Sequence, residues 1–124
     1  MVLAQRKMKV EYFHKDRLVA IIRVDYAKDL IEVENFTDKI WEKPFGRLEP
    51  TFEGLEDFFE DHIIDRNRRD IKEILKYHGL DFYDPELIAR ISHGRTCDDY
   101  YWMRFDDENI TWEEVKGYDY RENR

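Results

Sequence analysis

One cysteine, Cys97, is all the chain has, which excludes an intramolecular disulfide and fits a reducing compartment. No apolar run approaches the ~20 residues of a membrane span, and the amino terminus carries no signal-peptide hydrophobic region. A cytoplasmic protein with no membrane partner is therefore expected. The patterns that usually carry catalysis or cofactors are missing as well: there is no P-loop, G-x-G-x-x-G, G-x-S-x-G or H-E-x-x-H, and no C-x-x-C or H-x-x-x-H pair for zinc. On these grounds the chain is not expected to be an enzyme, and neither a metal nor another cofactor is expected. Positive charge is also short. With 21 Lys and Arg against 29 Asp and Glu, the formal net charge is −8. The average field repels phosphate, so direct nucleic-acid binding is disfavoured unless a basic patch is segregated.

What is present suits one folded domain over residues 1–124. Of these residues 42% are hydrophobic, including eight Phe, eight Tyr and three Trp, enough for one compact core. The mean hydropathy of −0.82 comes from 40% charged residues laid over that aromatic content, unlike a disordered chain, in which aromatics are scarce.

Residues 8–14 and 18–25 are β-branched and aromatic and flank the turn Lys15-Asp16-Arg17; 30–37 alternates again after a second turn. The expected fold is α+β: a three-stranded antiparallel β-meander over 8–37, covered by three to four short helices between 51 and 117. Val10, Tyr12, Leu18, Ala20, Ile22, Val24, Ile31 and Val33 would line one face. The connector 38–50 holds two prolines and a glycine, and its Ile40, Trp41 and Phe45 are expected to fold back onto the core.

Thr51 caps a first helix whose Phe52, Leu55, Phe59 and Ile63 recur at helical spacing, leaving Glu53, Glu56, Asp57, Glu60 and Asp61 on an acidic outer face. A second helix is expected over Asn67–His78, with Ile71, Ile74, Leu75 and His78 inward, Gly79 as its left-handed terminator and Leu80 as the accompanying apolar contact. Asp84 followed by Pro85 starts a third over Glu86–Ser92, stopped by Gly94. Tyr100–Phe105 is a strand or a buried aromatic turn, which periodicity cannot separate. Thr111 and Glu114 spell a capping box, flanked by the staple pair Ile110 and Val115, and open a last short helix. The tail from Tyr118 is expected to fray.

Two charged constellations stand out. Arg66, Arg68 and Arg69, joined by Lys72 and Lys76, lie where cations oppose a helix dipole. Either they pair with the acidic face of the first helix, or they form an anion or nucleic-acid contact. The acids Glu53, Glu56, Asp57, Glu60 and Asp61, extended by Asp98, Asp99, Asp106 and Asp107 and by Glu108, Glu113 and Glu114, form either a solvated surface or a mimic of phosphate spacing for a basic groove. Trp102, with Trp41, Trp112, Tyr100 and Tyr101, would anchor an interface if exposed and fill the core if not. His93 and Cys97, four residues apart, are a minor alternative as a metal or cryptic catalytic site, with His62 and His78 elsewhere.

The run R-N-R-R-D-I-K-E-I-L-K-Y-H-G-L-D-F-Y-D-P-E-L-I from Arg66, the run H-G-R-T-C-D-D-Y-Y-W-M from His93, and the strands V-E-Y-F-H and V-E-N-F-T together cover most of the chain. They resemble small uncharacterised acidic proteins of Gram-positive gut bacteria and their mobile elements. By analogy, that resemblance implies the anti-CRISPR and antirestriction inhibitor class. The leading expectation is a non-catalytic acidic binding protein of a phage or mobile element, a DNA mimic docking on a nucleic-acid-binding surface of a larger basic protein such as a CRISPR effector or other host defence nuclease. The alternatives are a small regulatory or nucleic-acid-binding module using the Arg66–Lys76 stripe, and a cryptic metal or enzyme domain around His93 and Cys97.

Overall fold

A computed structural model describes residues 6–95 and 100–116. Its elements are β1 (Lys7–His14), β2 (Arg17–Asp25), β3 (Leu30–Asn35), a 3-10 turn (Ile40–Glu42), α1 (Phe52–Glu60), α2 (Ile71–Tyr77), α3 (Pro85–Ser92), β4 (Tyr101–Phe105) and α4 (Trp112–Val115). The α+β class holds, with one addition: the sheet has four antiparallel strands in the order β3-β2-β1-β4. Tyr101–Phe105 is the extra strand, paired with β1 so that Val10 faces Phe105 and Tyr12 faces Met103. Its burial is near-continuous because it packs on both faces, and such a run carries no period-2 signature.

The inner face gathers Met8, Val10, Tyr12, Ala20, Ile22, Val24, Met103 and Phe105, covered by Leu55, Phe58 and Phe59 of α1, Ile74 and Leu75 of α2, and Ile88 and Ala89 of α3. Leu18 is not on that face. The β1–β2 register shifts between Tyr12 and Phe13, so Ala20 pairs with Tyr12 but Leu18 with Phe13, leaving Val19 as the extra residue. A one-residue bulge moves everything beyond it to the other face. Leu18 therefore packs in a second cluster of Phe13, Trp102, Trp112 and Val115, with Ile110, behind the sheet.

Local capping works as the sequence implies at three helices. Thr51 Oγ1 accepts from the Gly54 N–H, and Asp84 Oδ1 accepts from the Leu87 N–H ahead of Pro85. At the end of α2, Gly79 has φ +75°; its N–H donates to Lys76 O and that of Leu80 to Leu75 O, a Schellman pair. At α4 the expected capping box is incomplete: Thr111 makes no side-chain cap, and its hydroxyl donates to Glu114 Oε1 at 3.3 Å instead. The connector departs further. Phe45 is buried, but Ile40 is exposed and Trp41 is 77% exposed. The backbone of 39–48 closes in successive tight turns through Glu42 N–H to Lys39 O, Lys43 N–H to Ile40 O, Gly46 N–H to Lys43 O and Leu48 N–H to Phe45 O. With so short a path there is room for one inward aromatic, and Phe45 takes it.

Candidate functional site

The acidic face is carried by α1, which Phe58 and Phe59 fix to the sheet: Phe58 meets the Tyr12 ring edge-on at 5.0 Å and Phe59 lies 5.9 Å from Phe105. Because the inward stripe is set by that packing, Glu53, Glu56 and Asp57 on α1 and its C-cap Asp61 are all left exposed. None of these four has a cationic partner among the described residues. Glu60 differs. Its Oε1 accepts from Arg66 Nε at 3.2 Å and Nη2 at 3.0 Å.

Arg66 owes its position to the true start of α2. That helix begins at Ile71, four residues later than the sequence suggests, because Arg68 N–H donates to Asp65 O and Ile71 N–H to Arg68 O in preceding turns. Arg66 is thereby clear of the helix N-terminus, whereas Arg68 and Arg69 directly precede its N-cap Asp70. Arg66 instead lies beside the C-terminal end of α1, where a cation suits the dipole and where α1 has no basic residue of its own. Its guanidinium also covers the Tyr83 ring at 4.6 Å. Tyr83 donates its hydroxyl to Ile64 O at 2.6 Å; burial, then the nearby Glu60 charge, push its pKa up to about 12.

Arg68 pairs with Asp70 of its own turn. Arg69, Lys72 and Lys76 are exposed and make no ion pair among the described residues. The expected stripe thus divides: Arg66 and Arg68 are held internally, and the other three face solvent.

The outlying acids do not join α1. Asp106 accepts from Arg90 Nη1 and from the Lys9 N–H, both at 3.0 Å, and serves as an internal clamp. The adjacent Asp107 is exposed and lines a groove with Lys7, Lys9 and Lys28. Asp98 and Asp99 lie outside the described residues, as does Cys97. Trp102 is 1% exposed, stacked on Phe13 at 4.7 Å, and its indole N–H donates to Lys15 O at 2.7 Å. It fills the rear core and has no surface to offer a partner. His93 sits at the left-handed end of α3, with Nδ1 3.8 Å from Glu108 Oε1. No group of three or more potential metal ligands occurs among the described residues, and no described helix is long and apolar enough to cross a membrane.

Sequence reasoning missed two features. Glu42, 3% exposed, accepts from Arg17 Nη2 at 2.6 Å, Thr37 Oγ1 at 2.6 Å and Tyr101 Oη at 2.7 Å. These bonds, with that to Arg17 foremost, outweigh burial and lower its pKa to about 2. Beside it, Phe36, Ile40, Trp41 and Leu48 are exposed. The available signal was the density of prolines, glycine and cations around Trp41, a composition unsuited to burying an indole.

Comparison with models of known families, with curated proteins and with solved structures finds no match.

Proposed function

We propose that the protein is a non-catalytic binding protein that docks the acidic face of α1 on a basic surface of a larger partner. The observation that carries this reading is the exposure of Glu53, Glu56, Asp57 and Asp61 without cationic partners on a helix fixed to the sheet. Carboxylates already paired would have to break their own bonds to bind, whereas unpaired ones are free to match a basic surface. Positions 53, 57 and 61 recur every four residues, about 6 Å, and 56 adjoins 57, so the four carboxylates share one broad side of the helix. Basic surfaces with that demand are those that bind nucleic-acid backbones, which makes a nuclease of the host-defence type the favoured partner class and DNA mimicry the mode. Asp106 and Trp102 take no part in this proposal.

The test is affinity capture from host lysate with the wild type and with a Glu53→Gln/Glu56→Gln/Asp57→Asn/Asp61→Asn variant, at low and high salt. Capture of a nucleic-acid-binding protein, released by salt and by competing DNA and absent with the variant, is the expected result. Capture that survives the four substitutions removes α1 as the contact.

A second reading rests on Arg69, Lys72 and Lys76, which are exposed and without ion pairs among the described residues. In it, α2 contacts a phosphate backbone directly despite the net charge of −8. Measured duplex binding that weakens with salt and disappears in an Arg69→Ala/Lys72→Ala/Lys76→Ala variant would favour it over the acidic face.

A further inference from the structure

The second charged surface lies in the connector between β3 and α1, and it combines features that α1 lacks. Trp41 and Leu48 are 77% and 80% exposed, and Phe36 and Ile40 join them within the same thirteen residues. The two other tryptophans are buried, so the one indole at the surface stands on this segment. Lys39 and Arg47 are exposed and Lys43 is half-buried; none of the three forms an ion pair among the described residues. Lys39 Nζ lies 5.9 Å from the Trp41 ring centre.

The segment is held firmly. Glu42, the neighbour of Trp41, is tied to Arg17, Thr37 and Tyr101, which come from β2, the end of β3 and β4. Phe45 is buried against α1: a Cβ on Gly54 would come within 3.1 Å of its ring. An apolar knob on an anchored loop loses little conformational entropy on binding, which is the condition under which a tryptophan becomes an interface hot spot.

We infer that the Trp41 knob, with Lys39, Lys43 and Arg47, is a docking site for an acidic, apolar segment of a partner protein. The sign of the occupant follows from the three unpaired cations, which outnumber the one exposed acid of the same thirteen residues, Asp38. Phe36 and Trp41 offer rings on which a base could stack, but Ile40 and Leu48 do not, and that aliphatic half of the apolar surface suits a peptide side chain. The long-range field of a chain at −8 also opposes a polyphosphate far more than a segment bearing a few carboxylates. The inference is independent of α1, since none of its residues belongs to that helix.

The experiment is selection from a random-peptide display library, with a Trp41→Ala protein as counter-target. It is followed by titration of purified Trp-free peptides against the emission and acrylamide quenching of Trp41. Enriched peptides should combine Asp or Glu with Leu, Ile or Phe, shift Trp41 emission to the blue and shield it from acrylamide. They should bind about tenfold more weakly, equivalent to ~1.4 kcal/mol, to a Lys39→Glu/Arg47→Glu variant. Because these side chains are exposed, that variant should keep the wild-type melting temperature, and Lys39→Gln/Arg47→Gln provides a milder check. Enrichment of Lys and Arg, binding indifferent to Trp41, or no enrichment at all would overturn the inference. So would shielding of Trp41 by oligothymidylate, which indicates nucleic acid, or by rising concentration of the protein alone, which indicates a second copy.

Discussion

Glu42 keeps a negative charge almost entirely out of water, and it can do so because every exposed lone pair is met by a donor: Arg17, Thr37 and Tyr101. Its pKa is lowered from 4.5 to about 2, so its contribution to stability is complete above pH 4.5 and is lost as the pH falls toward about 2. Chemical denaturation across that range should show the wild type weakening, while Glu42→Gln, which cannot titrate, loses this part of the slope. At pH 7 the Glu42→Ala protein should be less stable by about 1–3 kcal/mol, because Arg17, Thr37 and Tyr101 lose the acceptor they share. Nothing at position 42 announced this in the sequence. A glutamate between Trp41 and Lys43 in a Pro- and Gly-bearing connector reads as solvated, and its donors lie far away at residues 17 and 101 or in the preceding strand end.

At the scale of elements, the two glycines that end α2 and α3 perform different tasks. Gly79, at φ +75°, has nothing within 4 Å of where a Cβ would stand, whereas at Gly94, φ +63°, a Cβ would come within 2.9 Å of Met103 Cγ in β4. Gly79→Ala should therefore cost only the left-handed backbone penalty of about 1 kcal/mol. Gly94→Ala adds displacement of a fully buried methionine and should cost more, about 2–3 kcal/mol in urea denaturation. A comparable contrast applies to the arginines: Arg66→Ala should lose about 0.5–1.5 kcal/mol with its Glu60 pair and Tyr83 contact, and Arg69→Ala should stay within about 0.5 kcal/mol of the wild type. The helix ends at Thr51, Asp84-Pro85 and Gly79-Leu80 were legible because a cap is written within four residues. The pairing of β4 with β1 and the face of Leu18 were not, since one depends on a strand some ninety positions away and the other on a bulge that alternation alone cannot locate.

Across the described residues, part of the charge is paired within the fold and part is left to solvent. Arg6, Arg17, Arg23, Arg66, Arg90 and Arg104 each pair with a carboxylate from another part of the fold, and Arg68 pairs within its own turn. Glu53, Glu56, Asp57 and Asp61 are left out of that arrangement. Three consequences separate stability from binding. First, neutralising Glu53, Glu56, Asp57 and Asp61 breaks no ion pair among the described residues. Second, it brings the formal charge from −8 to −4, which lessens self-repulsion. Third, its effects on the α1 dipole offset: it removes a disfavoured negative charge at the C-cap, Asp61, and a favoured one in the first turn, Glu53. The quadruple variant should accordingly unfold at the same or a slightly higher denaturant midpoint, by up to about 1 kcal/mol at low salt, with the gain shrinking as the Debye length falls below about 10 Å above 0.1 M salt. That outcome is the one expected if the four acids serve the contact proposed for α1 and not the fold. If the variant were instead less stable by more than about 1 kcal/mol, the acids would be structural, and the partner proposed for α1 would lose its principal support.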